Sequence, residues 1–596
     1  ASAPGAACAQ QPAAPVFEDG QAQVVPAFAD TAQWIREDLW VETEFDTDGD
    51  GRRDRVHVSV VRPGPTADGL RVPVVYASSP YFSGTGTTDS RYFWNVEHNP
   101  GETPPARNAM PSIEPRENRP TISNSEVALW VPRGFAVVHS EAPGTGMSQG
   151  CVTIGGPPEA LAPKAVIDWL NGRATGYTTP DGDETVAADW STGRVGMTGT
   201  SFNGTIPVAA ATTGVEGLEA IIPIAPNTSY YRYYRSHGLV RSPGGYLGED
   251  VDVLYDFVNS GALERRAYCD ATWRDGDMAE GQDRVTGDYN EFWAGRDLWN
   301  ELDGIEAATL FAHGLNDWNV MPEHSVHIFQ TLKERGVPTQ LYLHQGGHGG
   351  PPPFEMRNRW FTRFLYDVEN GVEDDPRAFV VREGVGRDQP TAYADFPHPD
   401  AAVVTLRPTP GGAARGGLVP GGGGSGVESF IDDVRFAGAA LAAAPESEHR
   451  LVYATAPLVE AVHLSGTPRV RLRVASSAPA ANLTVWLVSL PWVEGGDLNA
   501  NLINRGWADP QNRNDPSSSA PLSPGEFVEL EFDLQPDDQI IPAGQRIGLM
   551  VFASDREFTL WADPGTELTL DLEGAALDLP VVGGEAALRR ALGGQN

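Results

Sequence analysis

Gly193-Arg194-Val195-Gly196-Met197-Thr198-Gly199-Thr200-Ser201-Phe202-Asn203-Gly204 is the stretch that decides the fold. A short, apolar-rich approach reaches Gly199, and the exit from Ile206 to Ala211 reads as the start of a helix. A strand, a Gly-Ser turn and a helix make a nucleophile elbow, in which a sharp turn lifts the serine hydroxyl clear of a sheet. Glycines flank the corner because a side chain there would clash between strand and helix. The backbone N–H of Phe202 then points where an oxyanion would form. The spacing G-x-S-x-x-G is one residue longer than the commonest form, and alone it also describes a glycine-rich turn with an incidental serine.

Outward from the elbow, apolar runs alternate with helical patterns. Val72–Ala77, Phe135–Ser140, Leu218–Ile224, Ala308–Gly314 and Thr339–Leu343 read as strands. Ala162–Arg173, Pro322–Arg335 and Phe354–Leu365 read as helices. This alternation predicts an α/β fold with a mainly parallel sheet. Trp40 to Val61 alternates like a hairpin. Between Tyr81 and Thr121 lies a long Pro/Asn/Gly-rich loop, a length that usually marks function or mobility. Residues 227–300 are aromatic and charged with helical periodicity, which predicts a helical cap inserted over the sheet's upper edge. After about Pro390, short alternating runs between Gly/Pro clusters predict a β-sandwich of jelly-roll type. The expected domains are an N-terminal extension over 1–39, extended and Ala/Pro/Gln-rich at its start, and a catalytic domain over 40–226 and 301–390. The cap spans 227–300 and the sandwich 391–596.

Composition narrows the partners. The 596 residues carry 43 Lys+Arg against 80 Asp+Glu, a net charge of −37. Such an acidic chain argues against nucleic acid, whose phosphates need basic patches, and against anionic membrane surfaces. No apolar run reaches the roughly 20 residues of a membrane span. The small-residue start Ala1–Ala7 reads as a mature end left by signal-peptide removal, so the expected location is secreted. Cys8, Cys151 and Cys269 suit one disulfide plus one free thiol, with the pairing open. Asp46, Asp48, Asp50 and Asp54 sit among glycines like the first half of a calcium loop. The twelfth position, where such a loop needs a bidentate Glu, is His57, so a plain Asp/Gly turn is the stronger reading. No cofactor is expected, and a structural calcium is only a candidate.

A nucleophilic serine needs a base and an orienting acid, in the chain order Ser, acid, His for an α/β-hydrolase. Asp317 follows the predicted strand Ala308–Gly314, and His348 lies 31 residues further on, after the next predicted strand. That interval fits one strand-helix-strand step. His348 would take the Ser201 proton, and Asp317 would fix its tautomer and stabilise the imidazolium. His313 and His344 read as core or supporting residues, and His324 and His327 as surface or packing residues on a helix. The second oxyanion donor is expected in the loop after Ala77, where Tyr81 offers a phenol O–H.

These residues resemble the Xaa-Pro dipeptidyl-peptidase family of serine peptidases, which shares its fold with cocaine esterase and the α-amino-acid ester hydrolases. The resemblance runs through Ala165–Ala174, the elbow, Ala211–Glu219, Tyr233–Val240, Ser242–Asp250 and His313–Val320. It covers residues 40–390 closely and the C-terminal region more loosely. It implies an α/β-hydrolase core and release of N-terminal Xaa-Pro dipeptides from peptides with a free N-terminus and a penultimate proline. It also implies Ser201, Asp317 and His348 as triad, and Tyr81 with the Phe202 N–H as oxyanion hole. Glu249 and Asn319 would hold the substrate's α-amino group, and Tyr230, Tyr233 and Trp318 would belong to the substrate pocket. A buried carboxylate pairs with an ammonium by a charge-assisted hydrogen bond and would be left unpaired by an N-blocked peptide. The chain departs from lactic-acid-bacterial members at Thr200, Phe202 and Asn203, where they carry Lys, Tyr and Leu, and at Tyr230, where they carry Trp. Two other readings stand beside the peptidase: an esterase or acylase for α-amino-acid esters on the same fold, and a glycan- or wall-binding protein acting through the sandwich. The oligomeric state is left open.

Overall fold

The computed structural model describes residues 13–114, 120–493 and 498–594. Seven strands lie side by side in parallel at its centre, in the order Ala136–Glu141, Val72–Ser79, Ser191–Thr200, Leu218–Ile224, Ala308–Gly314, Thr339–His344 and Ala378–Val380. Parallel strands are covered on both faces and therefore read as continuous apolar runs. Every residue of Val72–Ser79, Ala308–Gly314 and Thr339–His344 is accordingly buried. Antiparallel strands flank this centre: Arg55–Arg62 and Ile35–Glu42 on one side, Thr391–Tyr393 on the other. The expected hairpin is present, with Val41 opposite Val56 and Trp40 opposite His57.

Alternate residues of each central strand point to opposite faces. Val74, Met197 and Ile221 join the core beneath helices Pro157–Leu170, Phe202–Thr212 and Glu323–Glu334. Val75, Ala220 and Ile222 face Trp360, Phe361 and Leu365 of helix Phe354–Tyr366. The first of these helices begins at Pro157, earlier than its periodicity suggests. A proline fits the first helical turn because its missing N–H is not needed there.

Two sequence expectations change. The sheet starts at Ile35, inside the expected extension. The described residues before it, from 13 on, are docked instead of extended, while the first twelve lie outside the described residues: Phe28 is buried, and the Ala22 N–H donates to Asn358 Oδ1 and Thr362 Oγ1 at 3.2 and 3.0 Å. The segment over 227–300 carries helices as expected: Tyr230–Tyr234, Val251–Val258, one unbroken run over 263–281 that is π-helical in Asp270–Met278, then Glu291–Ala294 and the 3-10 helix Leu298–Gly304. A disulfide joins Cys151, in a glycine-rich loop of the core, to Cys269 in this segment. Cys8 lies outside the described residues.

The C-terminal region is β-rich. Its long strand Glu567–Val582 pairs with Ala401–Pro408, Val427–Ile431 and Arg469–Ser476. A second set comprises Leu451–Ala454, Leu483–Leu490, Leu502–Ala508 and Arg546–Phe552. Leu570 and Leu577 from the first set share one core with Val485, Leu487 and Val551 from the second. The region grips the cap through Ser242 N–H to the Phe558 carbonyl and Tyr289 N–H to the Pro516 carbonyl, each 2.8 Å. Among the described residues, no helix is long and apolar enough to cross a membrane.

Candidate active site

Ser201 sits at the corner between strand Ser191–Thr200 and helix Phe202–Thr212, with φ 64° and ψ −129°. This strained left-handed φ for a non-glycine residue is held by its neighbours. The Ser201 N–H donates to the Ile224 carbonyl at 2.9 Å. A Cβ on Gly199 would lie 2.2 Å from the Asn203 carbonyl oxygen, and one on Gly204 would lie 2.7 Å from that of Ile224. Both positions therefore exclude a side chain, and the G-x-S-x-x-G spacing follows from where strand and helix touch. Phe202 opens the helix, so its N–H has no intrahelical acceptor.

Two further strand ends deliver side chains to Ser201. His348 Nε2 stands 2.8 Å from Ser201 Oγ, and its Nδ1 stands 2.7 Å from Asp317 Oδ2. Asp317 is fully buried. Its other oxygen accepts the Asn319 and Val320 N–H groups, both at 3.0 Å, which fix the carboxylate plane. The rival histidines hold other hydrogen-bond partners, although His313 Nε2 also lies 3.6 Å from Asp317 Oδ2. His313 bonds Ser325 Oγ and the Val320 carbonyl at 2.7 and 2.9 Å. His344 donates to the Gly349 carbonyl at 2.8 Å and accepts the Gly346 N–H at 3.0 Å, so it shapes the loop that carries His348. His324 is buried against Thr228, and His327 stacks on Trp299.

A cavity of about 330 Å³ opens beside Ser201 and His348. Tyr81, Thr85, Thr88 and Phe93 line it from the long loop, and Tyr233, Tyr246, Glu249, Val253, Leu254 and Phe257 from the cap. Asn319 completes the wall. The Tyr81 ring meets Phe202 edge-on at 6.0 Å. Burial, with the Glu249 charge nearby, raises the Tyr81 phenol above its ordinary range, so it remains an O–H donor. Glu249 is 7% exposed. Burial lifts its carboxyl to about 8, against the lowering hydrogen bond from Tyr234 Oη at 2.8 Å. Next to it, Asp250 is buried between Arg235 and Arg284 at 3.0 and 2.6 Å. Asp250 is thus neutralised by two cations, whereas Glu249 has none among the described residues. Tyr233 donates to Asn319 Oδ1 at 3.2 Å, and Asn319 Nδ2 donates to the Gly244 carbonyl at 3.3 Å.

Three expected site residues lie elsewhere. Tyr230 does not line this cavity. It packs behind Phe202 at 6.1 Å and faces a separate cavity with Gly155 and Glu159. Trp318 turns to the C-terminal region, near Trp507 and under the Arg505 guanidinium at 4.8 Å. Asp54 leaves the candidate calcium turn: it points inward and accepts the Thr47 N–H and Oγ–H at 2.8 and 2.6 Å. Burial raises it to about 6. Asp46, Asp48 and Asp50 do converge, with carboxylate oxygens within 4.8 Å of one another. Asp46 is already engaged by the Gly49 and Gly51 N–H groups. The sequence reading missed Phe93, Tyr246, Val253, Leu254 and Phe257. Their only local signals were the length of the loop and the aromatic density of the cap.

Residues 48–350 match the family model of the X-Pro dipeptidyl-peptidases (S15 family). Residues 370–589 match that of the X-Pro dipeptidyl-peptidase C-terminal non-catalytic domain. A Rhodopirellula baltica protein provisionally designated an Xaa-Pro dipeptidyl-peptidase is 59% identical, over 96% of this chain and 92% of its own. The Xaa-Pro dipeptidyl-peptidase of Lactobacillus delbrueckii subsp. lactis is 32% identical, over 93% of this chain and 78% of its own. Among solved structures, an α-amino acid ester hydrolase superposes with a TM-score of 0.63 at 16% identity, covering 97% of this chain and all 100% of that one. A CocE/NonD family hydrolase from Staphylococcus aureus gives 0.63 at 16% identity, covering 94% and 98%. At that identity the structures speak for the fold alone. The chain belongs to the S15 family of serine peptidases and has the α/β-hydrolase fold with a β-rich C-terminal domain.

Proposed function

We propose that this enzyme is a secreted exopeptidase that releases Xaa-Pro dipeptides from the free N-terminus of peptides through an acyl-enzyme on Ser201. His348 Nε2 accepts the Ser201 proton as Oγ attacks the carbonyl carbon of the penultimate proline. The developing oxyanion is met by the Phe202 N–H and the Tyr81 phenol. Collapse breaks the C–N bond, and the leaving amine takes the proton from His348. Water then attacks the ester as His348 accepts its proton, and collapse returns that proton to Ser201 Oγ while the dipeptide leaves with its new carboxylate. Asp317 holds the ring with Nδ1 protonated throughout.

The observation that carries the specificity is Glu249, a buried carboxyl with no cation beside it among the described residues, in the same cavity as Ser201. An ammonium placed there supplies the missing charge. Tyr233, Tyr246 and Phe257 offer flat walls that suit a pyrrolidine ring. The Cys151–Cys269 disulfide supports an oxidising compartment. The test is hydrolysis of Gly-Pro-p-nitroanilide beside its N-acetyl form, with Ser201→Ala as control. Turnover of the free-amine substrate alone supports the reading. Ester hydrolysis without anilide turnover moves it to the α-amino-acid ester hydrolases.

A further inference from the structure

Beside the substrate cavity, and not lining it, four polar side chains run in line through the protein interior. Ser83 is 3% exposed, and its Oγ–H donates to Glu141 Oε1. Glu141 Oε2 accepts the Met147 N–H at 2.7 Å and faces His57 Nδ1 at 2.8 Å. His57 Nε2 meets Asp38 Oδ1. Both ring nitrogens therefore face carboxylates, and each must carry a proton to bond. The ring is an imidazolium between two anions, with Trp40 stacked on it at 4.9 Å. Burial would discharge it, but hydrogen bonds to Asp38 and Glu141 outweigh that and raise it to about 9. The line crosses three neighbouring strands: Asp38 on Ile35–Glu42, His57 on Arg55–Arg62 and Glu141 at the end of Ala136–Glu141. It ends against the strand that leads to Tyr81, where Glu141 lies opposite Ser79.

The last link carries the consequence. Tyr81-Phe82-Ser83-Gly84 is a turn closed by the Gly84 N–H donating to the Tyr81 carbonyl at 3.0 Å, with Gly84 at φ 108°. The Tyr81 N–H is held by Ser79 Oγ at 3.0 Å. Fixing Ser83 therefore fixes the turn from which the Tyr81 side chain springs. Well-packed apolar residues would stabilise this interior at least as well as buried charges do. What a charged line supplies instead is a directed, short-range hold, and an oxyanion donor works only within about 0.5 Å of its place. We propose that Asp38, His57, Glu141 and Ser83 form a positioning relay that sets the Tyr81 phenol for oxyanion stabilisation. It rests on the reading of Tyr81 as an oxyanion donor.

The test is a double-mutant cycle in the full chain, with kcat and KM measured on Gly-Pro-p-nitroanilide. Tyr81→Phe is expected to lower kcat about 100-fold. Ser83→Ala is expected to lower kcat about tenfold with KM held within about twofold, since misplacement and not binding is affected. In the double variant, Ser83→Ala adds no further loss once the phenol is gone. Glu141→Gln, whose neutral amide holds the hydroxyl more weakly, gives the same pattern should Ser83→Ala fail to fold. Unchanged kcat in these variants, or losses that multiply with Tyr81→Phe, overturns the relay while leaving the oxyanion reading intact. Wild-type kcat in Tyr81→Phe overturns the oxyanion reading and the relay with it.

Discussion

Replacing Glu249 by Gln separates what this position does to the fold from what it does for the reaction. Burial lifts the carboxyl from 4.5 to about 8, and Asp250 adds to the rise. An acid whose folded value lies above its unfolded one destabilises the fold as it ionises. The penalty is absent below pH 4.5 and grows as pH rises toward about 8. At pH 7 it amounts to about 3 kcal/mol, at ~1.4 kcal/mol per pH unit. Gln keeps the volume and the oxygen that accepts the Tyr234 hydroxyl. The variant should therefore melt higher than the parent at pH 7, with the difference vanishing toward pH 4.5. Activity should move the other way. A substrate ammonium buried against a neutral amide loses about 2–5 kcal/mol, which is roughly 30- to 5000-fold in kcat/KM. The assay is kcat/KM on Gly-Pro-p-nitroanilide with thermal melts from pH 4 to 8. p-Nitrophenyl acetate, which has no amine, is the control and should be turned over within about twofold of the parent, because only the amine contact changes. Retained peptidase activity, or a lower melting temperature at pH 7, would refute the reasoning.

Gly204→Ala should both unfold more easily and lose about 100-fold or more in kcat, because its Cβ would press on the Ile224 and Gly199 carbonyl oxygens at 2.7 and 2.9 Å. Melting curves and steady-state kinetics read both effects. Cys151→Ser opens a bridge spanning 118 residues. It should cost about 2–5 kcal/mol, seen as a lower denaturant midpoint that added reductant no longer shifts. His57, raised from 6.5 to about 9 between Asp38 and Glu141, contributes stability that is full below pH 6.5 and lost as pH rises through about 9. Melting temperature should fall across that window in the parent and stay flatter in His57→Gln.

The α/β core and the elbow were legible because their signals are local. A buried parallel strand is a continuous apolar run, and the strand-helix corner at Ser201 tolerates only glycine at 199 and 204. Asp317 and His348 were placed by the same logic, each just beyond a strand end, and the structure brings both to Ser201. The pocket walls were harder to read. Tyr230, Tyr231, Tyr233 and Tyr234 share a one-turn helix, on which neighbours point about 100° apart. Tyr233 reaches the cavity, Tyr234 reaches Glu249, Tyr231 reaches the Gly287 carbonyl, and Tyr230 turns away toward Gly155. No periodicity says which of the four faces substrate, because the cap's short helices are oriented by contacts distant in sequence. Trp318 follows the same rule: its neighbour Asp317 faces the site, while its own ring finds Arg505 and Trp507 in a domain encoded some way downstream. Asp54 looked like a fourth ligand by spacing, yet Thr47 satisfies it from within the turn.

The most direct test is product analysis. The enzyme is incubated with an unblocked decapeptide that has proline only at its second position, and the fragments are identified by mass spectrometry, with Ser201→Ala alongside. The account predicts the N-terminal Xaa-Pro dipeptide and the matching octapeptide as the first products, and no cleavage by the variant. Any other first cleavage site, or equal cleavage of the N-acetylated peptide, would contradict it.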